Sequence, residues 1–448
     1  MTLLAINWAD TGVKAAQFIL SFSIIVVLHE LGHFFPAKWF KCRVEKFYLF
    51  FNPWFSLFKK KIGETEWGLG WIPFGGYVKI SGMIDESMDK EAMNLPPQPY
   101  EFRSKPAWQR LIIMVGGVTV NLLLGFFLYA MILWHWGDEY LPTNKITYGV
   151  AADSLAQSIG LKDGDKILSV DGRYIEKFRL IPFEVILKDA KSFQVDRNGE
   201  KLDVKIPDDF ARNLLKYKDL SFISPRVPAQ VDSVVRDSLA WQKGLRKGDK
   251  FVSVNGAPTP YFNDFRKAIL QNKQKEISIV YLRGADTNRV QLVVPPNGIL
   301  NFYNVFESQV LETTKLTYNI FQAFPAGLTR SREKLESYWL QLKLIFSGKV
   351  KASESVGSVF SIANLYSAQW DWEGLWNMTA FFSLVLALMN ILPIPALDGG
   401  HALFTIYEMI TGRKPSDKFI EYAQMAGMIL LLGVMAYALG LDIFRMFK

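Results

Sequence analysis

The 448-residue chain contains a single cysteine and only four histidines. Cys42 has no partner for an internal disulfide, and cysteine-rich zinc modules are excluded, so any metal centre must be built from imidazole and carboxylate. The chain also lacks a basic stripe. Its net charge of +8 is scattered or sits beside apolar runs, so no nucleic-acid partner is expected. Half of the residues are hydrophobic and 14% aromatic, yet 21% remain charged. No single soluble class has that composition, whereas membrane spans alternating with soluble domains do. The length suggests several modules.

Four apolar runs are long enough to cross a bilayer, at 15–36, 111–134, 375–395 and 425–444. The first has no basic n-region of a secretory leader before it and no small-residue cleavage site after it, which favours a span over a cleaved leader. Basic residues crowd the segment after the first run (Lys59, Lys60, Lys61, Arg103, Lys105, Arg110) and recur at Arg413, Lys414 and Lys418. The positive-inside rule makes both segments cytoplasmic, and puts both termini and residues 138–374 on the outer side of the membrane.

The outer stretch repeats itself with an offset of 84 residues: Asp153-Ser154-Leu155-Ala156 returns as Asp237-Ser238-Leu239-Ala240, and Gly164-Asp165-Lys166 as Gly248-Asp249-Lys250. Ser169-Val170 with Gly172 recurs as Ser253-Val254 with Gly256, a short strand closed by a turn glycine each time. These strings resemble PDZ domains, which implies two in tandem.

The chemistry lies in the first span. His29-Glu30-Leu31-Gly32-His33 is an HExxH string, whose i, i+4 spacing puts both imidazoles on one helical face to share a zinc ion. Glu30 then stands where it can take a proton from an attacking water, as peptide hydrolysis requires. Ionisable groups in an apolar helix are costly and mark a functional site. Catalytic zinc normally takes a third protein ligand. His135 falls a membrane thickness away. The third run instead ends in Asn390-Ile391-Leu392-Pro393-Ile394-Pro395-Ala396-Leu397-Asp398-Gly399-Gly400-His401, which brings Asp398, the preferred ligand, and His401, a candidate outer contact, to the matching depth. Prolines stop the helix there and paired glycines let the backbone turn tightly.

HExxH in a first span with Asn-x-x-Pro-x-Pro-x-Leu-Asp-Gly-Gly in a later one resembles the site-2 protease family of intramembrane zinc peptidases. The resemblance implies zinc bound by His29, His33 and Asp398, Glu30 as general base, and substrate contacts near Asn390. Pro73-Phe74-Gly75-Gly76-Tyr77-Val78-Lys79, after the alternating stretch 67–72, resembles the family's membrane-associated β-hairpin and makes Gly75, Gly76 and Tyr77 substrate-binding candidates by β-addition. Gly117-Val118-Thr119-Val120-Asn121 resembles a Gly-x-x-x-Asn element, in which Asn121 could support the site or simply pack helices.

The expected architecture is a four-span α-helical membrane core, with the first span at 1–37, a cytoplasmic loop with the hairpin at 38–108, and the second span at 109–137. PDZ domains at 138–218 and 219–297 and an amphipathic periplasmic segment at 298–374 follow. The third span occupies 375–400, and a cytoplasmic loop with the fourth span 401–448. The expected partners are the lipid bilayer, single-span transmembrane substrates, and a peptide or trimmed substrate ectodomain at the PDZ pair. The resemblance points to anti-sigma factors already trimmed outside, and to remnant signal peptides, as substrates. A silent PDZ adaptor would not need HExxH, and a metal transporter would need more intramembrane carboxylates along a path.

Overall fold

The computed structural model describes residues 8–83, 96–188, 190–216, 222–346 and 357–446. It divides into two compact units, Met1–Gly137 with Thr317–Lys448, and Asp138–Leu316.

The first unit begins with helix α1 (Trp8–Trp39) and four strands, β1 (Val44–Phe51), β2 (Phe58–Ile62), β3 (Thr65–Leu69) and β4 (Ile72–Ile80). It continues with α2 (Ala107–His135), α3 (Ile320–Phe346), α4 (Val359–Ala363), α5 (Trp372–Ile391), α6 (Asp398–Thr411) and α7 (Asp417–Met446). Four of these helices, α1, α2, α5 and α7, are long and apolar enough to cross a membrane. α1 and α2 cross where glycine faces glycine: a Cβ on Gly116 would stand 2.0 Å from the Gly32 carbonyl oxygen. Without a hydrophobic drive between helices in lipid, such backbone approach supplies the packing. α5 joins α2 through a hydrogen bond from Ser383 Oγ to the Asn121 carbonyl, 2.7 Å.

Two expectations need correction here. The expected hairpin is a four-stranded sheet in the order β2-β3-β1-β4. Only β2 and β3 form a tight hairpin, around Gly63 at φ 62. β1 runs parallel to β3 and antiparallel to β4, so the Gly75–Gly76 strand pairs with residues 44–51 rather than with its sequence neighbour. The amphipathic segment, whose sequence fits a membrane-surface helix and a packed one equally, forms a packed helix. α3 lays Gly327, Ser331, Leu335 and Tyr338, spaced to form one stripe, against the spans. A Cβ on Gly327 would stand 2.6 Å from the Ala130 amide nitrogen, and Tyr338 meets Phe381 edge-on. The other correction is at the third span, which ends at Ile391, so that Asp398 opens a separate helix, α6, rather than closing the span.

α7 is attached differently from the other spans. Its surface is largely exposed apolar side chains, Ile429, Leu430, Leu432 and Met435 among them. Near its end the buried Asp442 accepts hydrogen bonds from the backbone and hydroxyl of both Ser358 and Ser361, and so caps α4.

The second unit is a duplication in geometry as well as in letters. Asp165 is buried and pairs with Arg197, which also donates to the Gly160 carbonyl. Asp249 is buried and pairs with Arg283, which donates to the Gly244 carbonyl. Asp171 and Asn255, after the matching strands, both accept from a backbone amide of the next strand. The copies end later than periodicity suggested. Ile223–Pro225 pairs with Val150–Ala152 and Phe302–Asn304 with Val231–Val234, so each is closed by a strand beyond 218 and 297. Three-residue strands carry too little alternation to be seen in sequence.

Candidate metal centre

α1 presents His29 and His33 one turn apart, both buried. α2 passes directly beneath them. A Cβ on Gly117 would stand 2.4 Å from His33 Nε2 and 2.6 Å from His29 Cε1, so any larger residue would occupy the space of the imidazoles. His33 Nδ1 donates to the Ile113 carbonyl at 2.8 Å. That bond fixes the tautomer and leaves the Nε2 lone pair free. His29 Nδ1 lies 3.1 Å from the Asn121 amide. Among the described residues, the buried Asn121 Oδ1 has no partner. Turning the amide by half a rotation brings Oδ1 to the ring, pairs that orphan and orients His29 in the same way.

Asp398 comes from the other side. The 392–397 loop is compressed: a Cβ on Gly399 would stand 2.3 Å from the Leu392 carbonyl oxygen, and one on Gly400 2.6 Å from that of Ile394. The glycines therefore serve close approach rather than a left-handed turn. The residue with positive φ is Ala396, at 77°. The loop delivers the Asp398 carboxylate to the first turn of α6, where the helix dipole favours negative charge.

The three donor atoms form a triangle. His29 Nε2 and His33 Nε2 are 3.3 Å apart, and Asp398 Oδ2 lies 3.3 and 3.4 Å from them. Asp398 Oδ2 is buried and, among the described residues, without a hydrogen-bond partner. A tetrahedral ion with ligands at about 2.0–2.1 Å has ligand-to-ligand edges of about 3.3–3.4 Å. The triangle has that size, and two imidazoles with one carboxylate suit zinc.

A match to one sequence family covers this whole frame. Residues 17–434 match peptidase family M50. The chain belongs to that family. It is similar to the regulator of sigma-E protease RseP of Escherichia coli, 26% identical over 455 residues that cover 96% of this chain and 98% of that one. The regulator of sigma E protease of Haemophilus influenzae is 25% identical over 461 residues, covering 96% and 98%. A Clostridium perfringens protein named as a zinc metalloprotease is 28% identical over 423 residues, covering 93% and 94%. The M50 chain is accordingly a zinc metalloprotease of the site-2 protease type.

The other residues singled out in the sequence separate into two groups. Asn390 joins the centre, its Nδ2 3.4 Å from His29 Nε2. Gly76 lies on α1, where a Cβ would stand 2.8 Å from Val26 Cγ1, and the next inward-facing residue, Val78, turns its backbone N–H toward Glu30. Gly75, at φ 144, packs on the Phe51 ring. Tyr77 faces the far side of the sheet, stacked on Tyr48 with its hydroxyl donating to Asn52 Oδ1 at 2.9 Å. Its ring belongs to the sheet interior. His401, one turn along α6, has its Nε2 2.6 Å from Gln424 Nε2 of α7. Two features had no sequence signal. Arg110 Nη2 donates to Glu408 Oε1, joining α2 to α6 across 298 positions, and Ile113 contributes only a carbonyl. Cys42 is buried behind the site among Ala37, Val44 and Ile80, and burial pushes its thiol pKa up.

Proposed function

We propose that the chain is an intramembrane endopeptidase that cuts the transmembrane segment of single-span proteins, and that the carrying observation is the position of the ligand triangle. It is assembled from α1 and α6 against α2, beside an edge strand, β4, laid along α1. A transmembrane substrate keeps every amide paired within its helix, so it must unwind before a peptide bond can be reached. An edge strand next to the site offers the backbone partners that an unwound segment needs.

Zinc held by His29, His33 and Asp398 supplies Lewis acidity, lowering the pKa of water toward neutrality and polarising a carbonyl. Glu30 takes the proton of the attacking water and passes it to the leaving amine. The Val78 amide, facing its carboxylate, holds Glu30 in place while β4 aligns the scissile bond. Asn390 bonds the substrate backbone beside His29. Asn121 keeps the His29 ring in register.

The membrane reading follows the basic loops: an inner-membrane protein with both termini and the duplicated unit on the periplasmic side. The duplicated domains act as tandem PDZ modules that exclude substrates with an intact outer domain or bind a newly trimmed end. Anti-sigma factors after a first periplasmic cut are the substrates this reading favours, followed by remnant signal peptides. Glu30→Gln tests it. The variant should keep its zinc and cleave a membrane-inserted single-span reporter at least about a hundredfold more slowly, the usual scale for losing a general base. Parent-like cleavage by Glu30→Gln would mean that the hydrolytic centre lies elsewhere.

A further inference from the structure

The sheet has two contrasting borders. β4, at one edge, lies on α1; β2, at the other, has all five residues exposed. Two contacts show how the sheet runs along α1. Near the helix end, Lys38 Nζ is 3.5 Å from Glu64 Oε2 in the β2–β3 turn. At the other end of the sheet, Gly76 rests on Val26, twelve residues and about 18 Å back along the helix. The sheet therefore doubles back from the end of a membrane span toward its middle.

The far end of the sheet is built for hydrocarbon. Trp54 is 91% exposed, and Phe55, Leu57, Phe58 and Trp71 are exposed beside it. Trp54 and Phe55 both stack on Trp71. The polar groups of the same loop are satisfied internally: Asn52 donates to Ser56 Oγ at 3.1 Å, Tyr77 donates to Asn52, and Trp71 Nε1 donates to the Pro53 carbonyl at 3.0 Å. Polar pairing inside and aromatic surface outside is what a lipid-facing tip requires.

β2 breaks that rule. It leads directly from this apolar tip, its outer backbone edge is unpaired, and it reads Phe58-Lys59-Lys60-Lys61-Ile62. Among the described residues, none of the three lysines has a carboxylate within ion-pair distance. A bare strand edge and three ammonium groups next to membrane-facing aromatics need a partner that is anionic, rich in acceptor oxygens and located where hydrocarbon ends. Phosphate headgroups meet all three conditions, and lysine stems can lie along apolar surface while their charges reach them.

We propose that the β2 edge is a docking site for anionic phospholipid headgroups, with Lys59, Lys60 and Lys61 as the recognition elements and the Trp54–Trp71 cluster as the anchor. The site would fix the outer border of the sheet at the membrane surface, and so steady β4 at the opposite border beside Glu30. It depends on the membrane placement of α1 and not on the peptidase reading, so binding rather than cleavage is the readout.

The full chain is reconstituted in nanodiscs of phosphatidylcholine mixed with phosphatidylglycerol, and the lipids that stay bound after release are identified by native mass spectrometry. The parent should retain phosphatidylglycerol in preference to phosphatidylcholine. Changing all three lysines to Gln should reduce that preference more than about tenfold, since each lysine near a membrane surface contributes measurably. Changing all three to Arg should keep it. Both variants should retain the parent's zinc content, which shows that the fold is intact. Equal retention of the two lipids by the parent, or an unchanged preference in the Gln variant, overturns the proposal.

Discussion

α2 and α7 are both membrane-spanning helices in contact with the frame around the metal centre, yet they are held by opposite means. α2 is packed by backbone against backbone. Its Gly116 meets Gly32, its Gly117 lies under both imidazoles, Ile113 and Asn121 hold the two rings, and Arg110 reaches Glu408 on the helix that begins with Asp398. α7 touches the frame at separate points: Gly427 against the Pro395 carbonyl, Gln424 at His401, and Asp442 on Ser358 and Ser361. Between them it exposes apolar side chains. The contrast teaches that the ligand geometry is set by α2 and should be sensitive to single methyl groups there, while α7 should tolerate the same change wherever it faces lipid.

The harshest test of that contrast is a methyl group in each helix. Gly117→Ala would put its Cβ 2.4 Å from His33 Nε2, with no flexible end to yield, so the rings must move. Zinc affinity should fall at least about a hundredfold, the upper scale seen when ligand orientation is lost, and cleavage should disappear. Gly433→Ala in α7 meets nothing within 4 Å and should leave zinc content and cleavage as in the parent. Chelator competition distinguishes the two. Parent-like affinity in Gly117→Ala would remove α2 from its role as the jig.

The Arg110–Glu408 pair should come next. Arg110 is 8% exposed, and breaking a buried ion pair from one side costs about 3–5 kcal/mol because the remaining charge is stranded. Arg110→Met should lower thermal stability and weaken zinc together, since α6 carries Asp398. Replacing both partners by Met should recover most of the loss. If the double variant is no better than the single one, the pair acts through something other than stranded charge.

A smaller effect is expected at Asn121. Losing the orienting partner of a metal-bound imidazole typically weakens binding about 10- to 100-fold. Asn121→Asp, which still offers an oxygen to His29 Nδ1, should bind zinc more tightly than Asn121→Ala. The opposite order would mean that the amide nitrogen, not the oxygen, faces the ring.

What could be read in the sequence, and what could not, divides by the range of the interaction. His29 and His33 are four residues apart on a helix, so spacing alone placed them on one face. Asp398 followed because the prolines and glycines around it signal a stopped helix at the right depth. The 84-residue repeat was legible for the same reason, its turns being local. The parallel pairing of β1 with β3 leaves no trace, because alternation shows that a strand exists and not its partner. Arg110 and Glu408 look like two ordinary charges until the fold joins them. The pairing of His401 with Gln424 leaves no trace either, because only the fold brings α7 against α6.

α7 supplies the mildest and most selective prediction. Asp442 gathers hydrogen bonds from Ser358 and Ser361 through both backbone and hydroxyl groups, far along the helix from Gly427 and the metal loop. Asp442→Asn keeps the shape but loses the charge, and hydrogen bonds to a charged acceptor are worth about 1.5–3 kcal/mol against about 1 for neutral ones. The end of α7 should loosen from α4 while the ligand triangle, held by α2, stays intact. The expected result is faster proteolysis near residues 357–366 with unchanged zinc affinity. A parallel loss of zinc would show that α7 transmits strain along its length to Asp398, and the division of labour between the two helices would have to be abandoned.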